Sequence, residues 1–318
     1  MNRARTRRRE VSTQAHRLLM LAGVFAGMSM QPVHAGSPTR GTAYIGAAFG
    51  THHVYKVEYD YDGIGSMTAT ATILTTLPTA ADALIVPDGD IVVAGQGPNV
   101  YKVNSTTGSF ATVSASNNGN TVSLDPSGTS VWIGWADTSP SQVPLGPFAD
   151  GTPHSVAGDD GSVTSLAFTP HDGVYYSNGG EGLGNFGRID LTAFTTTRLM
   201  AATFAATVHY DRFSSSLIMA GVGHAIQVDP ADPTTPLSTR DDSALGEDYL
   251  MLRPDGRGHL FGTRWGGGGD RLVLVDYSAT GLIGDPSSIV VSVPLVDGLS
   301  GGVAVDTSIL ANGFDVRR

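Results

Sequence analysis

The sequence predicts an all-β chain, a single six-bladed β-propeller whose last blade is closed by strands from both termini. Three observations lead there. Glycine and proline are abundant, at 41 and 17 residues, and they punctuate short apolar runs, the pattern of many brief strands joined by tight turns. A unit of about 40 residues recurs along the chain, and that period with about four strands per unit is the mark of propeller blades. Finally, the first unit lacks its opening strand, while a spare strand of the right kind stands near the C-terminus.

Taken in order, residues 1–35 lie outside this fold. Arg3, Arg5, Arg7, Arg8 and Arg9 form a basic stretch, Leu18 to Met30 a short apolar one, and Val33-His34-Ala35 a small-residue cleavage signal, which together read as a signal peptide. The apolar stretch is too short to cross a bilayer as a stop-transfer helix, and an uncleaved N-terminal anchor is the alternative. The expectation is an exported protein, periplasmic or secreted. Residues 36–42 read as a linker, 43–308 as the propeller and 309–318 as a C-terminal tail.

The repeat is clearest from Ala83 to Gly95, ALIVPDGDIVVAG, followed by NVYKV from Asn99. Pro and Asp-Gly at its first turn supply the fixed and the positive φ that a tight hairpin needs. Further copies are VSLDPSGTSVWIG from Val122, SLAFTPHDGVYYSN from Ser165, TVHYDRFSSSLIMAG from Thr207 and LMLRPDGRGHLFGT from Leu250; FGRIDL, AIQVDP and RLVLVDY supply third strands. Ala43 to Gly50 reads as a second strand, His53 to Tyr59 as a third and Thr68 to Leu74 as a fourth. Gly302 to Asp306 supplies the missing first strand, and closing one blade from both ends removes free sheet edges. Ile309 to Gly313 also resembles a second strand and competes with Tyr44 to Ala48; it is read as a draped tail.

Composition narrows the partners. Removing residues 1–35 takes away six of the 19 basic residues and one of the 29 acidic ones, which leaves the remainder near −15. So little positive charge argues against nucleic acid or an anionic lipid surface. Cations, cationic ligands, neutral sugars and peptides stay open, as does the oligomeric state. The chain has no cysteine, which removes disulfides, thiol nucleophiles and thiolate metal sites.

The pattern PDGDIVVAG…NVYKVNSTTG resembles the blade signature of the NHL/YVTN propellers, a group that includes streptogramin-lyase-like and gluconolactonase-like proteins. The likeness covers nearly all of the chain after residue 35, and it rests on blade-building residues without a family-specific catalytic motif. In such a ring the loops between second and third strands, and the loops leading into each blade, open on one face around the central channel. That face is the expected ligand site. Its candidate ligand-binding residues are Gln96, Trp135, Asn178, Arg264 and Trp265, with the two Trp rings as flat apolar platforms. The positions that open each blade are rich in oxygen ligands, and Asp82, Asn120, Asp160 and Asp248 form the candidate metal set for Ca²⁺ or another divalent cation. The resemblance to gluconolactonase-like proteins implies such a channel metal, held by Glu, Asn and Asp. The resemblance to streptogramin lyases implies His and Glu as proton-transfer groups, for which His53, Glu181 and His224 are the candidates; the alternative is that Gly closes these turns and the polar residues are solvated loop residues.

The reading is therefore an exported propeller that binds a small molecule, glycan or protein on its top face. A metal-assisted lyase or lactonase with its site in the channel is the alternative, and a scaffold for protein assembly is a third class.

Overall fold

The computed structural model describes residues 36–135, 138–171, 173–179, 184–202, 206–243, 249–264, 270–295 and 301–305. They form six small sheets. Blade 1 begins with β1 (Thr39–Ala47), β2 (His53–Tyr61) and β3 (Met67–Thr76). Blade 2 holds β4 (Asp82–Ile85), β5 (Ile91–Ala94), β6 (Gly97–Val103) and β7 (Phe110–Gly119). Blade 3 holds β8 (Thr121–Leu124), β9 (Ser130–Gly134), β10 (Ser141–Pro144) and the two-residue β11 (Thr152–Pro153). Blade 4 takes β12 (Ala157–Gly158), β13 (Ser165–Phe168), β14 (Val174–Ser177), β15 (Asn185–Asp190) and β16 (Thr195–Ala201). Blade 5 consists of β17 (Thr207–Asp211), β18 (Ser216–Gly221), β19 (His224–Asp229) and β20 (Asp232–Asp241). Blade 6 consists of β21 (Tyr249–Pro254), β22 (His259–Arg264), β23 (Arg271–Asp276) and β24 (Ile289–Pro294), after which β25 (Gly301–Val305) returns to blade 1.

The chain is thus all-β, a six-bladed propeller sealed by its two ends. β25 pairs antiparallel with β1, Ala43 facing Val305 and Ala47 facing Gly301, the closure that the missing first strand predicts. The six inner strands β25, β4, β8, β13, β17 and β21 touch one another in turn around a closed ring.

The apolar runs are continuous because each blade is buried on both faces. In β5, Ile91 and Val93 join the core between blades 1 and 2, while Val92 and Ala94 join the core between blades 2 and 3. In β23, Leu272 and Leu274 face blade 1, and Val273 and Val275 face blade 5. Alternation with period two persists, but it sorts side chains between two apolar wedges instead of between core and water. Similar wedges lie between blades 3 and 4, around Trp132 and Tyr176, and between blades 4 and 5, around Phe186 and Leu217.

Turn chemistry explains about a third of the acid. Gly89 takes φ +85° and its N–H bonds the Val86 carbonyl at 2.9 Å, as Pro87-Asp88-Gly89 predicts. Asp62, Asp88, Asp125, Asp190, Asp211, Asp229, Asp255, Asp276 and Asp285 each accept an N–H two residues on. This local bond holds a turn at the cost of a negative charge that stays near solvent in most cases.

One element departs from the regular repeat. After the short β11, the chain leaves blade 3, and β12 docks parallel to β16, Ala157 facing Thr195. The Thr196 hydroxyl bonds both the Ala157 and Asp160 carbonyls, at 3.0 and 2.7 Å. Gly158 has φ +105°, and a Cβ there would sit 2.2 Å from the Thr196 carbonyl oxygen, so only glycine fits.

Candidate ligand-binding site

All six blades deliver residues to one pocket of about 360 Å³ at the channel mouth. Ala48, Phe49 and Gly301 come from blade 1, Ala81 and Gln96 from blade 2, Asn120, Thr121 and Trp135 from blade 3, Thr164 and Gly179 from blade 4, Ala206 from blade 5 and Met251 from blade 6. These belong to the loops between second and third strands and to the starts of inner strands. The sequence assigns the ligand to that face, and Gln96, Asn120 and Trp135 line the pocket. The walls are mostly small or apolar, so the pocket offers contact area with few charges.

Three threonines recur at the same place in successive blades: Thr121 and Thr207 open β8 and β17, and Thr164 immediately precedes β13. The Thr121 hydroxyl donates to the Thr164 carbonyl. The hydroxyls of Thr164 and Thr207 are buried and have no hydrogen-bond partner among the described residues. Their 43-residue spacing is visible in TVSL, TSLAF and TVHYD, and it is the periodic signal that a search for acids and aromatics passes over.

Beneath the pocket the channel is blocked by an ion pair. Arg253 of β21 reaches across the ring to Asp82 of β4, its Nη2 3.2 and 3.0 Å from the two carboxylate oxygens, and 3.4 Å from the Val122 carbonyl of blade 3. The Val122 and Ala83 N–H groups donate to Asp82 at 2.9 and 2.8 Å. Both charged side chains are buried. Burial pushes the Asp82 carboxyl up from its ordinary pKa, against the Arg253 charge and the two N–H bonds. His209 of β17 is buried nearby, and burial and the Arg253 charge hold its pKa well below the ordinary 6.5. It therefore stays neutral beside the guanidinium. Arg253 takes the place that Val86 has in the clearest repeat, and a charge at an apolar strand position was the available clue.

The remaining candidates fall elsewhere. Asp160 lies at the rim of blade 4, where its carboxylate takes Arg198 Nη2 at 2.6 Å, Asn185 Nδ2 at 2.9 Å and the Tyr176 hydroxyl. Burial alone would raise its pKa, yet these donors hold it below the usual carboxylate range. Asn178 pins the β14–β15 loop by accepting the Asn185 N–H at 2.6 Å, next to Gly179 in the pocket wall. His53 opens β2, its Nδ1 2.7 Å from the Thr76 hydroxyl. His224 opens β19, its Nδ1 3.4 Å from Asp241, and Arg264 ends β22. His53, His224 and Arg264 are not among the residues lining the pocket. Glu181, Asp248 and Trp265 lie outside the described residues.

Of the four candidate metal ligands, two are committed to other partners and Asp248 lies outside the described residues. Asp82 is already matched by a guanidinium and two N–H groups, and Asp160 is spent on Arg198 in a separate network. Among the described residues no three His, Asp or Glu side chains gather as a metal site. Nor does any described helix have the length and apolarity to cross a membrane.

No protein-family model matches the chain, and no curated protein matches it. Among solved structures it is similar to TolB from Acinetobacter baumannii, with a TM-score of 0.52 and 15% identity over 89% of this chain and 69% of that one. It is also similar to virginiamycin B lyase from Staphylococcus aureus, with a TM-score of 0.48 and 10% identity over 81% of this chain and 88% of that one. At such identities a likeness is one of fold, and what the chain shares with TolB is the six-bladed β-propeller.

Proposed function

We propose that this chain is an exported propeller that binds a compact, largely neutral small molecule at the mouth of its channel. The observation that carries this reading is the pocket itself: six blades converge on one apolar-walled cavity of about 360 Å³, floored by a matched ion pair. That volume lies at the small end of the range for ligand pockets, roughly 300–1,000 Å³. Trp135 supplies a flat face, and the Thr164 hydroxyl in the pocket wall supplies a hydrogen bond that a ligand carbonyl or hydroxyl can complete. The basic signature of residues 1–35 supports export. A lyase or lactonase that works through a channel metal is disfavoured, because the carboxylate best placed to hold the ion is held by Arg253.

The test is a screen of neutral, carbonyl- or hydroxyl-bearing fragments by ligand-observed NMR, followed by titration of the hits. Trp135→Ala is expected to weaken hits by about 1–3 kcal/mol, as loss of an anchoring aromatic does. Arg188→Ala, in the wider groove between blades 4 and 5, is expected to leave them unchanged. The opposite pattern, with binding lost in Arg188→Ala and kept in Trp135→Ala, would move the site to that groove.

A further inference from the structure

A second cluster of buried charge lies away from the channel, between blades 6 and 1, and it surrounds Gly36. Ser37 is tied down from both sides, its N–H donating to Ser278 Oγ at 2.8 Å and its carbonyl accepting from His259 Nε2 at 2.8 Å. A Cβ on Gly36 would lie 1.7 Å from Asp276 Oδ2, so the backbone is pressed against that carboxylate and no side chain fits. Gly63, at φ +77°, closes the other side, its own Cβ position 2.8 Å from the Gly36 carbonyl oxygen and from Pro38 N.

Asp276 is buried with only 1% of its side chain exposed. Its bonded partners are neutral: the Ser278 N–H and hydroxyl on Oδ1, at 2.9 and 2.6 Å, and the Tyr61 hydroxyl on Oδ2, at 2.9 Å. Among the described residues the cation within reach is His259, whose Nε2 is 3.8 Å away. That imidazole already spends Nδ1 on Asp255 at 2.8 Å and Nε2 on Ser37. Two buried carboxylates thus share one imidazolium, and a buried charge without its own counter-ion is costly. The segment just before this seat ends in the small-residue cleavage signal Val33-His34-Ala35.

We infer that hydrolysis of the Ala35–Gly36 peptide bond creates the missing cation: Gly36 becomes the first residue, and its α-ammonium pairs with Asp276. The C–N bond breaks, water's oxygen completes the Ala35 carboxylate, and water's two protons join the one already on the Gly36 nitrogen to make the α-ammonium. Processing then does more than release the chain. It sets a positive charge into a carboxylate seat at the junction of blades 6 and 1, so that the seat is complete only in the cleaved form. The ionisable groups around it are Asp276, Asp255, His259, Tyr61 and Tyr277.

This inference rests on the export reading, and one experiment separates the two. The protein is expressed with residues 1–318 in an exporting bacterial host, recovered from the periplasm or medium, and weighed by intact mass spectrometry. Its α-amine is then dimethylated with ¹³C-formaldehyde, which keeps the charge, and titrated by NMR in the folded protein and in urea. A chain that begins at Gly36, with a folded-state amine pKa at least one unit above its urea value, supports the seat; one unit means about tenfold less free amine at a given pH. Asp276→Asn is expected to abolish the difference, and if that variant does not fold, the wild-type comparison with urea still decides. A chain beginning at Gly36 whose amine titrates as in urea, or lower, overturns the seat and leaves export standing. A chain that keeps residues 1–35, or begins elsewhere, overturns the cleavage and the seat together.

Discussion

At the scale of single residues, the molecule spends its charges in two buried networks with opposite pH responses. His259 is enclosed by acceptors: burial works against its charge, but Asp255, the Ser37 carbonyl and Asp276 hold its pKa above the ordinary 6.5. The stability it supplies is therefore complete below about pH 6.5 and is lost as pH rises through the higher folded-state value. His209 works in reverse, since its pKa is depressed by burial and by Arg253. An unfolded chain takes up that proton more readily, so His209 lowers stability as pH falls below about 6.5. Denaturant midpoints across pH 5–9 are expected to show a loss at the high end that His259→Gln removes and a loss at the low end that His209→Gln removes. The channel pair gives a sharper result. Arg253→Met leaves Asp82 buried and uncompensated, an expected loss of about 3–5 kcal/mol, whereas Arg253→Met with Asp82→Asn is expected to recover most of it. Two single variants whose losses simply added would show that the pair does not act as a unit.

At the scale of elements, the strands that carry a repeat signal were legible and those that break it were not. β5, β9, β18 and β22 lie in the apolar runs after each turn, because burial on both faces forces Val, Ile and Leu into an unbroken string. The closing strand was legible from an absence at one end and a surplus at the other. β12 was not, since two residues held by one threonine hydroxyl leave no periodicity to read. Nor could the separation of Asp82 from Asp160 be read, because in the repeat both stand at a blade entry, and only the backbone path makes one the first residue of β4 and leaves the other before β13 at the rim. The closing strand carries its own prediction. Deleting residues 300–318 removes β25, strips a partner from β1 and uncovers the wedges that Val303, Ala304 and Val305 help fill. Cooperative thermal unfolding is expected to disappear, and a truncated chain that melts like the full one would refute this closure. A finer probe is Gly302→Ala, whose Cβ would stand 1.9 Å from Asp82 Oδ1; it is expected to lower the melting temperature by disturbing the channel pair.

At the scale of the whole molecule, ligand chemistry and ring stability are joined at the channel. A molecule that fills the pocket touches six blades at once, so it is expected to raise the melting temperature by mass action. Ca²⁺, Mg²⁺ and chelator are expected to leave it unmoved, because Asp82 already has its cation. A Ca²⁺-dependent rise that Asp82→Ala abolishes would restore the channel-metal reading. The binding face itself was legible, since a radial repeat brings corresponding loops together whatever their sequence. Its occupant was not, because a pocket built from one or two residues per blade has no contiguous motif.

The wedges between blades have a further consequence. Apart from the Arg253 bridge across the channel to blades 2 and 3, each blade packs against its two neighbours, so the molecule behaves nearly as a nearest-neighbour chain of six units. Joining β25 to β1 bends that chain into a loop with a periodic boundary, and a system with no first or last unit has no end from which to fray. An open array of six units has five junctions and can melt inward from either terminus. The closed one has six and must break two before any blade is free. The contact that makes this difference, Ala43 with Val305, joins residues from nearly opposite ends of the chain, and loop closure over that span is slow to find. Folding is therefore expected to be gradual until the seam forms, and unfolding abrupt once it opens.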